Sequence, residues 1–147
     1  MPLTYEIPPR ETPKDDDGYF EQMTKAIFQA GFSWLVIRNK WDNFQKAFDN
    51  FDINKVADYG LDDIQRLVFD KGIVRNRQKI GATLENANLI KQLIEEHGSF
   101  KKYLDFLPSD YYERVPILTK QFKNLGRTGA FVFLYCVNEL VPEWQDR

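Results

Sequence analysis

Apolar residues along the chain recur mostly at three- and four-residue spacing, the period of amphipathic helices. Asp16 or Asp17 is placed to cap a first helix carrying Tyr19, Phe20, Met23, Ala26, Ile27 and Ala30 on one face. Gly31 ends that helix, and Ser33 is a ready N-cap for another starting at Trp34. Trp41, Phe44, Ala47, Phe48 and Phe51 form a further stripe. Asp52 and Leu61-Asp62-Asp63 open two short helices, the first closing at Gly60. Gly72 breaks the chain before the longest helix, about residues 76–96, which offers Ile80, Leu84, Ala87, Leu89, Ile90, Leu93 and Ile94 to a core. Gly98-Ser99 stops one helix and starts the next, and Pro108 marks a loop. Pro116 opens a helix toward Phe122, Gly126 interrupts it, and an apolar helix resumes from Thr128 to Leu140. No segment sustains a period of two, and there is no internal repeat. The pattern predicts an all-α fold: a single compact domain over residues 1–147, with about eight or nine helices and a Pro-rich extended arm at 1–15.

Composition narrows the class. Of 147 residues, 43% are hydrophobic and 29% charged, enough to bury a core and too apolar for disorder. No apolar run approaches the ~20 residues of a membrane span, and the first residues lack the pattern of a signal peptide. Cys136 is the only cysteine and has no internal disulfide partner, so a reducing cytoplasm is the expected location. With His97 the only histidine, a Cys/His zinc site is excluded. The expectation is a monomer with no metal, cofactor or membrane association.

The net charge of −2 argues against a uniformly basic surface. Acids dominate from Glu6 to Glu21, whereas Lys71–Ile80 and Lys120–Ala130 each carry bases and no acid. Two basic segments on an acidic background suit focused phosphate contacts, and they equally suit two solvated helix faces.

Three constellations carry chemistry. Phe28-Gln29-Ala30-Gly31-Phe32-Ser33-Trp34 is a helix end, a tight turn and a new helix opening on an indole, which can stack on an extruded base or simply fill the core. Gly72-Ile73-Val74-Arg75-Asn76-Arg77-Gln78-Lys79-Ile80 places Arg75, Arg77 and Lys79 at a helix start, where they can meet phosphate or face water. Phe122-Lys123-Asn124-Leu125-Gly126-Arg127-Thr128-Gly129-Ala130 is a glycine-containing hairpin between helices. Its backbone N–H groups can approach a DNA phosphate, flanked by Lys123 and Arg127. No lysine stands out in an apolar pocket beside a carboxylate, so a Schiff-base lyase is not expected.

These residues resemble the DNA-3-methyladenine glycosylase I family of the helix-hairpin-helix superfamily. The match runs through Phe28–Trp34, Ala47-Phe48, Phe51-Asp52, Lys55-Val56-Ala57, Arg66-Leu67, Asp70, Gly72–Arg77, Lys79-Ile80 and Asn86-Ala87. The turn around Gly126 resembles the family's helix-hairpin-helix. The resemblance implies an all-helical protein that grips damaged double-stranded DNA, flips a nucleotide into an aromatic pocket and hydrolyses its N-glycosidic bond in base-excision repair. By that resemblance Trp34, Ala26, Tyr19 and Tyr5 belong to the base pocket. Lys123, Gly126, Arg127, Thr128, Gly129, Arg75, Arg77 and Lys79 belong to the DNA contact.

Three departures matter. The family's pocket glutamate falls on Ala26, and its N-terminal aromatic segment and C-terminal zinc ligands have no counterpart. In the wider superfamily a catalytic aspartate lies about 20 residues past the last hairpin glycine, which points to Asp146 with Glu143 close by. The same two residues also read as a solvated tail. Two functions stay open: a glycosylase for alkylated purines such as 3-methyladenine, and a DNA-binding module that recognises damaged or distorted DNA without releasing a base.

Overall fold

The computed structural model describes residues 7–147, all outside strands. Helix α1 (Asp16–Gln29) runs through the middle, burying Tyr19, Phe20, Met23, Ala26, Ile27 and Phe28. Its cap is Asp15, whose carboxylate accepts the Gly18 N–H at 2.8 Å, and not Asp16 or Asp17. Those two acids cap other helices. Asp16 accepts the Phe100 N–H at 2.8 Å and Asp17 the Ile53 N–H at 3.0 Å, so three consecutive aspartates terminate three helices.

Helix α2 (Trp34–Arg38) begins after Ser33, which is extended but makes no side-chain cap. Helix α3 (Trp41–Ala47) stops before the apolar stripe does. Asp49, Asn50 and Phe51 turn with positive φ, and Phe51 still reaches the core, stacked 5.2 Å from Trp41. Burial of the aromatic ring, not continuation of a helix, explains the spacing. Helix α4 (Ile53–Ala57) is capped by Asp52. Helix α5 (Leu61–Val68) starts after Gly60, whose N–H donates to Asp63 at 3.0 Å.

Helix α6 (Arg77–His97), with 21 residues, is the longest among those described. Asn76 caps its start, and Gly98, at φ +96°, closes its end with an N–H bond to the Ile94 carbonyl. Helix α7 (Phe100–Phe106) is capped by Ser99. Helix α8 (Tyr111–Gln121) starts at the Asp110 cap, and Pro116 lies inside it instead of opening it. The ring is tolerated because Pro116 and Tyr112, whose carbonyl it deprives of a partner, both lie on the exposed side.

Helix α9 (Arg127–Cys136) ends before Leu140. Asn138 takes the left-handed conformation at φ +69°, and the Glu139 N–H returns to the Leu134 carbonyl, a Schellman closure with asparagine in glycine's usual place. Arg10 then clamps this end, donating to the Tyr135 and Glu139 carbonyls and to the Asn138 side chain. The extended arm is docked there: Glu11 N–H bonds the Cys136 carbonyl and the Cys136 thiol bonds the Pro8 carbonyl. Burial pushes that thiol's pKa up to about 12.

Among the described residues no helix is long and apolar enough to cross a membrane. One continuous core joins α1 to the aromatic stack of Trp41, Phe44, Phe48 and Phe51 on one side and to the apolar α9 on the other. The architecture therefore brings the α1–α2 turn and the α8–α9 hairpin, far apart in sequence, onto one side of the molecule.

Candidate functional site

The α1–α2 turn is held by a lysine. Lys79, on the first turn of α6, donates from Nζ to the Ala30 carbonyl at 2.7 Å and the Phe28 carbonyl at 3.3 Å. It thereby caps the open end of α1, where a cation also favours the helix dipole. Lys79, which the sequence offers to phosphate or to water, commits its charge to carbonyls instead, and burial lowers its pKa. Gly31 turns with φ +84°, a conformation other residues adopt only under strain, and projects Phe32 outward at 47% exposure. Lys79 lies 5.5 Å from the centre of the Phe32 ring.

A cleft of about 370 Å³ opens between this turn and the start of α9, lined by Ile7, Gln29, Phe32, Ser33, Thr128 and Trp144 among others. Trp34, expected in the base pocket, does not line this cleft: it is 5% exposed and packed in the core, with its ring 5.7 Å from that of Trp41 at 60°. The Trp41 indole N–H donates to Glu21 at 2.8 Å, and Gln45 donates to the same oxygen at 3.1 Å. Lys25 reaches across both indoles, its Nζ 5.3 Å from the Trp34 ring centre and 5.6 Å from that of Trp41. Burial lowers the Lys25 pKa, against the opposing fields of Glu21, Cys136 and Glu11. This is the apolar lysine the helical pattern did not single out. Its signal was a lone cation within the run Met23–Phe28, whose other residues except Thr24 are apolar.

Ala26 is fully buried, so no carboxylate stands at that position. Tyr19 does not join Trp34: it is 4% exposed and packs on Phe100 at 5.3 Å, because its turn of α1 faces α7. Tyr5 lies outside the described residues. Asp146 belongs to a short 3₁₀ turn, Trp144–Asp146, that packs back on the helices, its carbonyl accepting the Tyr112 hydroxyl at 2.9 Å. The Asp146 and Glu143 side chains are exposed, flanking the cleft residue Trp144.

The hairpin is built by a residue on another helix. Asn86 of α6, 1% exposed, accepts the Lys123 N–H at 2.8 Å and donates to the Lys123 carbonyl at 3.1 Å. Both backbone hydrogen-bonding groups of one hairpin residue are thus fastened to α6. Asn124 then takes φ +58°, Leu125 plugs the core at 3% exposure, and Gly126 leads into α9. Gly126 is not needed for its φ, which is −85°. A Cβ there would meet nothing within 4 Å, so the glycine leaves an open approach to the α9 N-terminus, which no side chain caps. Gly129 is buried one turn on, where a Cβ would touch Leu125 at 3.4 Å.

Lys123 and Arg127 flank this opening and are exposed, as are Arg75 and Arg77 at the start of α6. Thr128 accepts the Arg147 Nε–H at 3.1 Å while that guanidinium lies 3.8 Å from the Trp144 ring centre, which ties the last residues to the hairpin. Among the described residues no group of three His, Cys, Asp or Glu is placed to hold a metal ion. The arrangement offers a bare helix N-terminus with flanking cations for an anion, and beside it a cleft lined by the exposed Phe32 and by the Trp144 indole.

Residues 10–126 match the family described as methyladenine glycosylase. The chain is 38% identical over 93 residues to DNA-3-methyladenine glycosylase 1 of Escherichia coli K12, covering 63% of this chain and 48% of that protein. It is 33% identical over 73 residues to the DNA-3-methyladenine glycosylase of Haemophilus influenzae, covering 50% and 40%. It therefore spans about half the length, or less, of these curated relatives in the matched region. The 3-methyladenine DNA glycosylase I of Staphylococcus aureus superposes with a TM-score of 0.76 at 28% identity, over 92% of this chain and 83% of that one. A solved 3-methyladenine DNA glycosylase I in complex with 3-methyladenine superposes at 0.75 and 28% identity, over 86% and 78%.

Proposed function

This chain belongs to the methyladenine glycosylase family, and from that premise we propose that it is a DNA-repair glycosylase releasing alkylated purines such as 3-methyladenine from damaged duplex DNA. The observation that carries the reading is the juxtaposition of the Asn86-fastened hairpin with the cleft at Phe32 and Trp144. A phosphate seated at the α9 N-terminus accepts N–H bonds from an uncapped helix start, and Lys123 and Arg127 supply counter-charge. Arg75 and Arg77 extend the contact along the same strand. Phe32, at the tip of a rigid turn, is suited to fill the gap left when a nucleotide swings out.

The extruded base stacks on Trp34 once Lys25 yields its face. A base alkylated at N3 carries positive charge and departs as a neutral molecule, so bond cleavage needs little proton donation. Water attacks C1′ of the sugar as the C1′–N9 bond breaks, and its proton passes to a carboxylate or to solvent. Asp146, with Glu143 beside it, is the carboxylate we assign to that step, on the strength of its ordered turn next to Trp144. We place the protein in the reducing cytoplasm, where its single buried thiol stays free.

A second reading has its own observation. Ala26 supplies no acid beside Trp34, and the ammonium of Lys25 lies 5.3 Å from the centre of that ring, which favours a module that binds distorted DNA without releasing a base. The test is incubation with methylated duplex DNA followed by chromatography of released bases. Free 3-methyladenine supports the glycosylase. Tight binding with no released base supports the binding module.

A further inference from the structure

One wall of the cleft lies outside the stretch shared with the family. Trp144 and Arg147 both follow residues 10–126, the part matched to the methyladenine glycosylases. Trp144 lines the cleft; its ring meets Phe131 edge-on at 5.2 Å and carries the Arg147 guanidinium 3.8 Å from its centre. Arg147 donates from Nε to the Thr128 hydroxyl at 3.1 Å and from Nη1 to the Trp144 carbonyl at 2.9 Å. A stack and two hydrogen bonds fix the plane of a side chain that on an open surface samples many rotamers. Thr128 stands on the first turn of α9 and also lines the cleft. One guanidinium therefore joins the bare helix start to the cleft wall.

The charge of Arg147 is left unneutralised. A guanidinium has five N–H donors, and two are engaged here, which leaves three without a protein acceptor among the described residues. Among those residues Arg147 also forms no ion pair, whereas Arg66, Lys101 and Arg114 are each paired with a carboxylate. Lys123 and Arg127 are exposed and unpaired in the same sense, but only Arg147 is held in one orientation. A pre-oriented guanidinium with a free edge suits a phosphate oxyanion. We propose that Arg147 binds the backbone phosphate of the nucleotide that enters the cleft, whereas Lys123 and Arg127 serve the duplex as a whole. The inference rests on the glycosylase reading only in taking this cleft as the place where an extruded nucleotide enters. Because Arg147 is anchored to two residues that line the cleft, its free edge meets a strand that has turned inward. Undamaged duplex, with its nucleotides stacked, passes the hairpin cations without reaching it.

The test compares two duplexes of one sequence, one undamaged and one carrying a single tetrahydrofuran abasic site. The abasic site has no base to unstack, so its sugar and phosphates swing out at little cost. Anisotropy titrations give Kd for each duplex across salt. Arg147→Met keeps an unbranched stem against Trp144 and loses the charge. It should weaken binding of the abasic duplex about tenfold, the worth of one charge-assisted contact. It should also reduce the salt slope of log Kd for that duplex by about 1, and leave the undamaged duplex unchanged in both respects. Arg147→Lys retains the charge and should retain the slope. Arg127→Ala should affect the two duplexes alike, and Lys55→Met, which removes an exposed charge on α4, should affect neither. A merely loosened turn lowers Tm and affinity without moving the salt slope, so the slope is the deciding readout. Equal loss on the two duplexes, an unchanged slope in Arg147→Met, or no binding of either duplex by the unaltered protein overturns the proposal. Base release from methylated duplex is measured in parallel. Release together with an inert Arg147→Met removes the Arg147 assignment and keeps the glycosylase, whereas a selective Arg147→Met effect without release does the reverse.

Discussion

Asn86→Ala gives the sharpest structural prediction, because the side chain is buried, touches no proposed ligand and still controls the hairpin. It removes two hydrogen bonds, at 2.8 Å and 3.1 Å, to the backbone N–H and carbonyl of Lys123. Each neutral bond contributes about 1 kcal/mol net, and the stranded Lys123 N–H and carbonyl add part of their desolvation cost. Water reaches the exposed side of Lys123 and relieves some of that penalty, so about 2–3 kcal/mol is expected in all. For a chain of this size that is a fall in Tm of about 5–10 °C, readable by calorimetry or urea titration. Asn86→Asp is the informative companion. Its carboxylate still accepts the Lys123 N–H but faces the Lys123 carbonyl with no proton to donate, so it should be no more stable than the alanine variant. Both should weaken duplex DNA binding although residue 86 lies beneath the hairpin. An alanine variant with unchanged Tm and unchanged DNA affinity would refute the claim that α6 fixes the hairpin.

Two further outcomes follow from the cations near the hairpin and from a buried thiol and phenol. Lys79→Met should cost about 1–2 kcal/mol by uncapping α1; in anisotropy titrations across salt it should leave the slope of log Kd unchanged, whereas Arg127→Ala should reduce it by about 1. Stability should fall as pH rises above 9, checked by urea midpoints between pH 8 and 11. Burial holds the Cys136 thiol and the Tyr103 phenol protonated up to about 12 in the folded chain, against ordinary values of 9.0 and 10.0. Below pH 9 both groups are protonated in both states and the raised pKa values cost nothing. Above it the unfolded chain releases protons that the folded chain retains, at up to about 1.4 kcal/mol per pH unit for each group. Cys136→Ala should flatten the first part of that decline.

Helix periodicity and caps made most of the architecture legible. The boundaries at Gly31, Asp52, Asn76, Gly98 and Ser99 follow from local chemistry and appear where that chemistry puts them. The misplacements share a cause: tertiary partners claim groups that local rules assign to their own helix. Asp16 and Asp17 cap α7 and α4 because α1 threads between those helices. The end of α9 is set by Asn138 and by Arg10, a residue 128 positions away in sequence from its asparagine partner. Pro116 reads as a helix start only if its neighbours are ignored; its exposed position makes an interior proline tolerable.

The candidate site was legible as motifs, not as wiring. Exposed Lys123, Arg127, Arg75 and Arg77 fit the charge pattern, while Lys79 looked identical in sequence and serves carbonyls instead. No sequence rule distinguishes a lysine bound for water from one facing a helix end 49 residues away. Asn86 and Lys25 show the same limit. Their roles depend on which face of α6 meets the hairpin and which indoles lie across α1, and both facts belong to packing.

The central claim, that an extruded alkylated base stacks on Trp34 and is released, is tested most directly by single-turnover excision. The substrate is a duplex bearing one 3-methyladenine, and the readout is the rate of free base appearing with enzyme in excess. Losing a stacking platform worth ~1–3 kcal/mol should slow Trp34→Ala about 10- to 100-fold. Its binding to undamaged duplex should stay close to that of the unaltered protein, because the hairpin and its cations are untouched. Undiminished excision by Trp34→Ala would contradict the account.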